Sequence, residues 1–400
     1  MEEPILRLGI IGLGRAFMLM LPTLAHHPRV RLVAAADPRP EARRRFAEEF
    51  GARTYDTAEA LAVDPGIDAV YIASPHQFHV AQVRLVAQAG KHILVEKPMA
   101  LTIADCQAMI EAVRTAGVHL MVGHSHSFDG PVAQARTLVE SGAYGPVQMI
   151  TALNFTDFLY RPRRPEELVT AEGGGVVFSQ AAHQVDIVRL LGGGRVRTVR
   201  AATGAWDPAR PTEGAYGAFL TFESGTFATM TYSGYGHFDT DEFCGWVGEV
   251  GQERDPQRYG AARAALAPIR SAAEESALKE QRTYGAPASL GAAALPAGGV
   301  RHHHHFGQII VSCTGADLRP TADGVHVHAD KVRSFEALPP PPVPRPEVVD
   351  ELYRAVVRNE PPGHSGAWGM ATLEVCLAIL QSAREGREIT LAHQVAFEGS

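Results

Sequence analysis

The 400-residue chain predicts an α/β domain on a doubly wound parallel sheet, followed by an α+β domain with a large, mostly antiparallel sheet. Three observations carry this reading. Over the first 123 residues, short β-branched runs alternate with amphipathic stretches, as strand–helix–strand crossovers require. Beyond Gly123, strand-like runs follow one another without helices between them. The length also suits two domains of roughly 100–200 residues better than one.

In the first domain (1–123), candidate strands cover 6–11, 30–36, 69–73, 92–96 and 118–122. Their near-continuous apolar character fits a sheet covered on both faces. Helical stretches cover 40–50, 78–88 and 102–115. In the second domain (124–338), strands are expected at 147–155, 195–204, 216–223, 226–232, 306–313 and 324–328, with Glu223-Ser224-Gly225 as a tight hairpin turn. Residues 251–299, rich in Ala, Glu and Arg, read as a helical insertion with loose flanks. The run PPPPVPRP at 339–346 predicts a stiff extended linker. Two helices, 347–358 and 369–384, are expected in the C-terminal part (347–400).

Composition narrows the function classes. Hydrophobic residues make up 46% and charged residues 20%, which excludes wholesale disorder. A net charge of −7 argues against a nucleic-acid partner. No apolar run reaches the roughly 18 residues that span a bilayer, and the apolar stretch 17–21 stops at Pro22 after a Gly-rich turn, unlike a secretory leader. The four cysteines (106, 244, 313, 376) form no CxxC pair, which points to reduced thiols, a cytoplasmic protein and no thiolate metal site. Four consecutive histidines, His302 to His305, run into the strand expected at 306–313. Alternate side chains there would face opposite ways, so a polar strand entry is preferred to a metal site.

The first strand ends in Gly12-Leu13-Gly14-Arg15-Ala16-Phe17 and opens a helix. Gly12 permits the tight turn, and Gly14 lets a pyrophosphate approach the helix N-terminus, with Arg15 and Ala16 beside it. Phe17 stands where a third glycine is usual, which predicts a wider helix–strand contact. Asp37 ends the second strand, placed to accept hydrogen bonds from the adenosine ribose. A carboxylate there favours NAD over NADP, although Arg39 nearby partly offsets it. The plain alternative is an ordinary βα turn with Asp37 as a helix cap. Lys97, in Glu96-Lys97-Pro98, lies at the carboxyl end of the strand at 92–96, where ligands of open parallel sheets sit. A desolvated lysine there has a lowered pKa and can exchange a proton with an alcohol. The alternative is a surface lysine at a strand end.

These pieces together resemble the Gfo/Idh/MocA family of nicotinamide-dependent oxidoreductases. The resemblance rests on the Gly12–Gly14 turn with Asp37, on Ser74-Pro75-His76-Gln77-Phe78-His79, on Glu96-Lys97-Pro98, and on Gly173-Gly174-Gly175 with His183 and Asp186, in the family's order along the chain. It implies a Rossmann domain and a sheet domain whose open face forms the substrate pocket. It implies that Ser74, Pro75 and His79 flank the nicotinamide half of the cofactor, with His76 also binding cofactor, that Glu96 and Lys97 contact ribose and substrate, and that His183 exchanges the hydroxyl proton. Sugar-oxidising members usually carry Asp four residues before that histidine; here it is Ser179, followed by Gln180. Lys97 or the substrate's own charge must then do more.

Tyr160-Arg161-Pro162-Arg163-Arg164-Pro165 connects the second domain's first strand to the triple glycine. Three arginines held by two prolines suit carboxylates, and a solvated charged loop is the alternative. His124 and His126 lie at the crevice edge and could touch substrate or pack a hinge. FLYRPRRPEEL, GGGVVFSQAAHQVDIVRLLGG and the long insertion resemble the family's phthalate 4,5-cis-dihydrodiol dehydrogenase branch. That implies NAD-dependent oxidation of a carboxylated cis-dihydrodiol to a catechol in aromatic catabolism. The alternatives are a sugar or inositol dehydrogenase, a non-catalytic NAD-binding sensor or corepressor, and glycoside cleavage through transient oxidation. The second-domain sheet is expected to be covered by a partner subunit, in a homodimer or homotetramer.

Overall fold

The computed structural model describes residues 3–123, 125–289, 291–295, 299 and 301–399. His124, one of the residues singled out above, lies outside the described residues.

Six parallel strands form the first sheet: β1 (Leu6–Ile11), β2 (Val30–Ala36), β3 (Arg53–Tyr55), β4 (Ala69–Ile72), β5 (His92–Val95) and β6 (Leu120–Val122). Their order, β3-β2-β1-β4-β5-β6, reverses direction between β1 and β4, where a doubly wound sheet opens its ligand crevice. Helices α1 (Arg15–His26), α2 (Pro40–Phe50), α3 (Ala58–Ala62), α4 (His79–Gln88) and α5 (Ile103–Ala116) connect these strands. Phe17, at the position of the missing third glycine, is fully buried and turns its ring toward Phe46 of α2.

After α6 (Gly130–Glu140), the second sheet collects β7 (Val147–Phe155), β8 (Val196–Gly204), β9 (Ala215–Phe222), β10 (Phe227–Ser233), β11 (Gln308–Cys313), β12 (Ala316–Thr321), β13 (Gly324–Ala329), β14 (Arg333–Ala337) and β15 (Ile389–Thr390). Its order is β14-β13-β12-β11-β7-β10-β9-β8-β15. Every neighbouring pair is antiparallel except β7 with β10. Helix α7 (Ala182–Leu191) packs in this domain's core with all ten residues buried, as a helix enclosed on every side must be. Its Arg189 is fully buried yet well bonded, to Trp368 O at 3.0 Å and Thr372 Oγ1 at 2.7 Å among others.

Three expectations need correction. Residues 302–307 precede β11 rather than joining it, so the alternation argued for the histidines does not apply; His303, His304 and His305 are all buried. His303 and His305 face main-chain carbonyls, of Pro339 at 3.0 Å and Val247 at 2.7 Å. Among its described residues the insertion holds two short α-helices, α8 (Ala261–Leu266) and α9 (Ala272–Glu280), and then folds back on the first domain. There Tyr284 is fully buried against Phe17 and Phe46. Lastly, the C-terminal helices are not an appendage beyond a spacer. The proline run is packed, with Val343 and Arg345 buried. Helix α10 (Pro346–Arg358) inserts Val348, Val349, Leu352 and Tyr353 into the first domain's core. Helix α11 (Gly366–Glu385) gives Leu373 to one core and Trp368, Val375 and Ile379 to another.

Candidate active site

The turn after β1 has the geometry a dinucleotide needs. Gly12 has φ +92°, and a Cβ there would lie 2.8 Å from the Ser74 backbone. At Gly14 the nearest atom to such a Cβ is Ala73 O at 3.9 Å, which leaves the approach open. No side chain caps α1, so its N-terminus is available to a phosphate beside Arg15 and Ala16. Asp37 is buried at the end of β2 and accepts from Leu13 N at 2.8 Å. Arg39 lies across the same carboxylate, with Nε at 2.9 Å and Nη2 at 3.0 Å. A ribose diol at Asp37 therefore meets Arg39 as well. These residues fit NAD.

Across the crevice, Ser74 Oγ donates to Gln82 at 2.5 Å. His79 is buried between Ser74 O at 3.0 Å and Pro98 O at 3.2 Å, so it braces the two loops at the crevice. Burial holds its pKa below the ordinary histidine value. His76 reaches the other domain, with Nε2 2.8 Å from Glu172 O just before the triple glycine. Glu96 is buried and accepts from the Tyr71 hydroxyl.

Lys97 and the segment bearing His183 are brought together by an irregular helix. Gly175 has φ +80°, and a Cβ there would collide with Glu213. The Glu213 carboxylate accepts from Val177 N at 3.1 Å, at the start of a π-helical turn, Val177–Ala181, that runs into α7. Such wide turns are frequent at functional sites. Within it, the Ser179 carbonyl accepts from Lys97 Nζ at 2.8 Å, one turn before His183. The Ser179 hydroxyl is used internally, on Gly175 O at 2.7 Å, and Gln180 accepts from Tyr232 at 3.3 Å. Burial lowers Lys97 to a pKa of about 8; Glu96 opposes the shift, and Arg345 and Arg163 add to it. The buried His183 ring stands edge-on to His126, with centroids 4.8 Å apart, and 5.2 Å from Phe306.

The three arginines of the loop separate. Arg161 pairs with Asp157 at 2.8 Å and Glu249 at 3.5 Å. Burial works against its charge, yet Glu249 and Asp157 hold its pKa above the usual value. Arg163 is largely buried over the Phe158 ring, 3.6 Å from the centroid, and donates to Phe158 O at 2.6 Å. Its guanidinium lies 3.8 Å from Glu167, which also pairs with Lys279. Burial brings Arg163 down to a pKa of about 10. Arg164 pairs with Glu166 at 3.0 Å and shares Glu167, at 3.8 Å, with Arg163. The expected three-arginine grip thus reduces to one buried, lightly neutralised guanidinium, Arg163, with Arg161 beside it.

Two charged residues escaped the sequence reading. Arg345, read as linker, is buried with φ 48° and donates to His126 Nε2 at 3.2 Å, while His126 Nδ1 is 2.6 Å from Asp129. Its lone charge in a proline run was the available signal. Glu249, just before the insertion, accepts from Asn154 at 3.0 Å besides pairing with Arg161. Among the described residues no group of three His, Cys, Asp or Glu side chains could hold a metal ion, and no helix is long and apolar enough to cross a membrane.

A Rossmann crevice facing a buried lysine and histidine defines a dinucleotide-dependent oxidoreductase. Residues 6–124 match the NAD-binding Rossmann-fold model of the Gfo/Idh/MocA oxidoreductases, and residues 132–252 match their C-terminal domain model. The chain belongs to this family and is an NAD-dependent oxidoreductase. It is 47% identical over 380 residues, 95% of each chain, to the 1-carboxy-3-chloro-3,4-dihydroxycyclohexa-1,5-diene dehydrogenase of Comamonas testosteroni. It is 30% identical over 195 residues, 48% of this chain and 57% of the relative, to a myo-inositol 2-dehydrogenase of Thermotoga maritima. Among solved structures, a dehydrogenase from Bordetella bronchiseptica RB50 superposes with a TM-score of 0.90 at 42% identity, covering 97% of this chain and all of that one. A levoglucosan dehydrogenase solved with NADH and levoglucosan shares the fold, with a TM-score of 0.70 at 19% identity over 96% of this chain and 99% of that one.

Proposed function

We propose that the chain oxidises a carboxylated cis-dihydrodiol to a catechol, with phthalate 4,5-cis-dihydrodiol, which gives 4,5-dihydroxyphthalate, as the specific substrate. The observation that carries this reading is Arg163, largely buried, with its guanidinium no nearer than 3.8 Å to Glu167 and its Nε without a hydrogen-bond partner among the described residues; its charge adds, after burial and Arg345, to the lowering of the Lys97 pKa. A guanidinium in that position is suited to a ring carboxylate. The Comamonas testosteroni relative, whose substrate is a carboxylated dihydroxycyclohexadiene, supports the same class.

NAD, when held by Gly12, Gly14 and Asp37, would supply the acceptor for hydride from one carbinol carbon. The neutral Lys97 amine accepts the hydroxyl proton, with the Ser179 carbonyl fixing the ammonium at 2.8 Å. His183, one turn along, is the second proton-transfer group, and Arg163 holds the carboxylate. The ketone tautomerises to the catechol, so one dihydrodiol and one NAD give one catechol, one NADH and one proton. Aromatisation supplies driving force that a sugar alcohol lacks. This accommodates Ser179 in place of the aspartate expected of a sugar or inositol dehydrogenase.

The test is a substrate panel followed at the NADH absorbance band: phthalate 4,5-cis-dihydrodiol, a monocarboxylated cis-dihydrodiol, an uncarboxylated one, myo-inositol and hexoses. The carboxylated dihydrodiols should lead in kcat/KM. Faster turnover of inositol or a hexose refutes the reading in favour of the sugar class, and absence of any NADH refutes it in favour of the sensor or of glycoside cleavage.

We further propose that a second copy covers the open face of the large sheet. Phe219 and Phe227 stand exposed there, 5.7 Å apart on β9 and β10, an apolar pair that a partner's surface would bury. Light scattering should give at least a dimer at micromolar concentration; a monomer refutes this.

A further inference from the structure

We propose that Arg282, carried by the insertion, is a cofactor-binding residue that joins Arg15 in neutralising the pyrophosphate of the bound dinucleotide. The inference concerns the NAD site and is independent of which alcohol is oxidised.

The insertion is pinned at two places, one on each side of residue 282. On the substrate side, Glu275 of α9 accepts from Arg163 N and Arg210 Nη1, both at 2.7 Å, and Lys279 pairs with Glu167. On the dinucleotide side, Thr283 Oγ1 accepts from Arg39 Nη1 at 2.6 Å, and Tyr284 N donates to Leu13 O at 3.2 Å. Leu13 lies between the two turn glycines, and Arg39 lies on Asp37. The anchors therefore hold one end of this strap at the loop carrying Arg163 and the other at the adenosine ribose. In an extended dinucleotide the pyrophosphate lies between its nicotinamide and adenosine halves. Residue 282 lies between the two anchors in the same sense.

The second anchor is firm. Tyr284 is fully buried, its hydroxyl donates to Glu49 at 2.7 Å, and Arg45 stacks on its ring at 4.7 Å. Arg45 also donates twice to Ser289, at 2.7 Å each. Gly285 (φ +89°) passes so close to α2 that a Cβ would lie 2.8 Å from Ala42 Cα. The strap is thus packed on the dinucleotide domain beside the pyrophosphate turn.

Charge supplies the reason for Arg282. Arg161 has its carboxylates, whereas neither Arg15 nor Arg282 has an ion pair or side-chain hydrogen bond among the described residues. Arg15 and Arg282 are both exposed; partial desolvation first, and then the nearby charges of Arg282 and Arg161, lower the pKa of Arg15. Unpaired like charges gathered at a helix N-terminus are unfavourable until an anion arrives, and a diphosphate relieves them.

The experiment is ligand binding by the full chain, wild type against Arg282→Gln. NADH is titrated by its fluorescence, and ADP-ribose and adenosine are measured by competition. Loss of the phosphate contact should weaken NADH and ADP-ribose about tenfold and leave adenosine within about twofold, with the melting temperature of the ligand-free protein unchanged. NADH affinity within about twofold of wild type overturns the proposal. Equal weakening of adenosine also overturns it, because the residue would then only hold the strap in place.

Discussion

Replacement of Lys97 by Met is expected to lower kcat by about 10²–10⁴-fold on the preferred dihydrodiol, the range that one positioned proton-transfer group contributes. NADH affinity should stay within about tenfold, or about 1.4 kcal/mol, because Gly12, Gly14 and Asp37 are untouched. The pH profile separates a proton acceptor from a residue that only fills space. Burial destabilises the ammonium more than the amine and brings the pKa to about 8. Below that value Lys97 is charged and cannot accept the hydroxyl proton. Wild-type kcat/KM should therefore rise with pH and level off above about 8. The variant should lack this limb, since Met does not titrate. If Lys97→Met keeps more than a tenth of wild-type turnover, or keeps the limb, the assignment fails and His183 is the group to pursue.

Lys97 was legible because the argument for it is topological. Strands alternating with helices force a parallel sheet, and such sheets bind ligands at their carboxyl ends. The strands that escaped notice carry weak patterns. β3 has three residues, β12 contains a proline, and β14 is a polar edge strand with no fully buried residue. Tertiary pairing rather than propensity makes them strands. The same holds within the site. The π-helical turn depends on Glu213, 34 residues beyond Ser179, and no local periodicity encodes that contact. Arg345 read as part of a spacer because prolines exclude regular structure. They do not exclude burial, and its guanidinium sits on His126. Tyr284, an aromatic in an Ala- and Gly-rich stretch, gave no sign that Phe17 and Phe46 were its partners.

The second large effect is expected at Arg163. With Leu in its place, kcat/KM for carboxylated dihydrodiols should fall by about 30- to 700-fold, or 2–4 kcal/mol, the typical cost of removing one member of a buried charge pair. An uncarboxylated cis-dihydrodiol should be oxidised within about threefold of the wild-type rate, since it has no charge to lose. Arg161→Leu should cost less, because Asp157 and Glu249 already neutralise that guanidinium. Arg163 also donates to Phe158 O and stacks on the Phe158 ring, so a general disturbance of the loop has to be separated from loss of the carboxylate contact. Arg163→Lys makes the separation: it keeps the charge and loses the forked geometry, and should recover part of the carboxylate preference. A uniform loss on charged and uncharged substrates alike, with no recovery in the lysine variant, would mean that Arg163 supports the loop and that the substrate's carboxylate binds elsewhere.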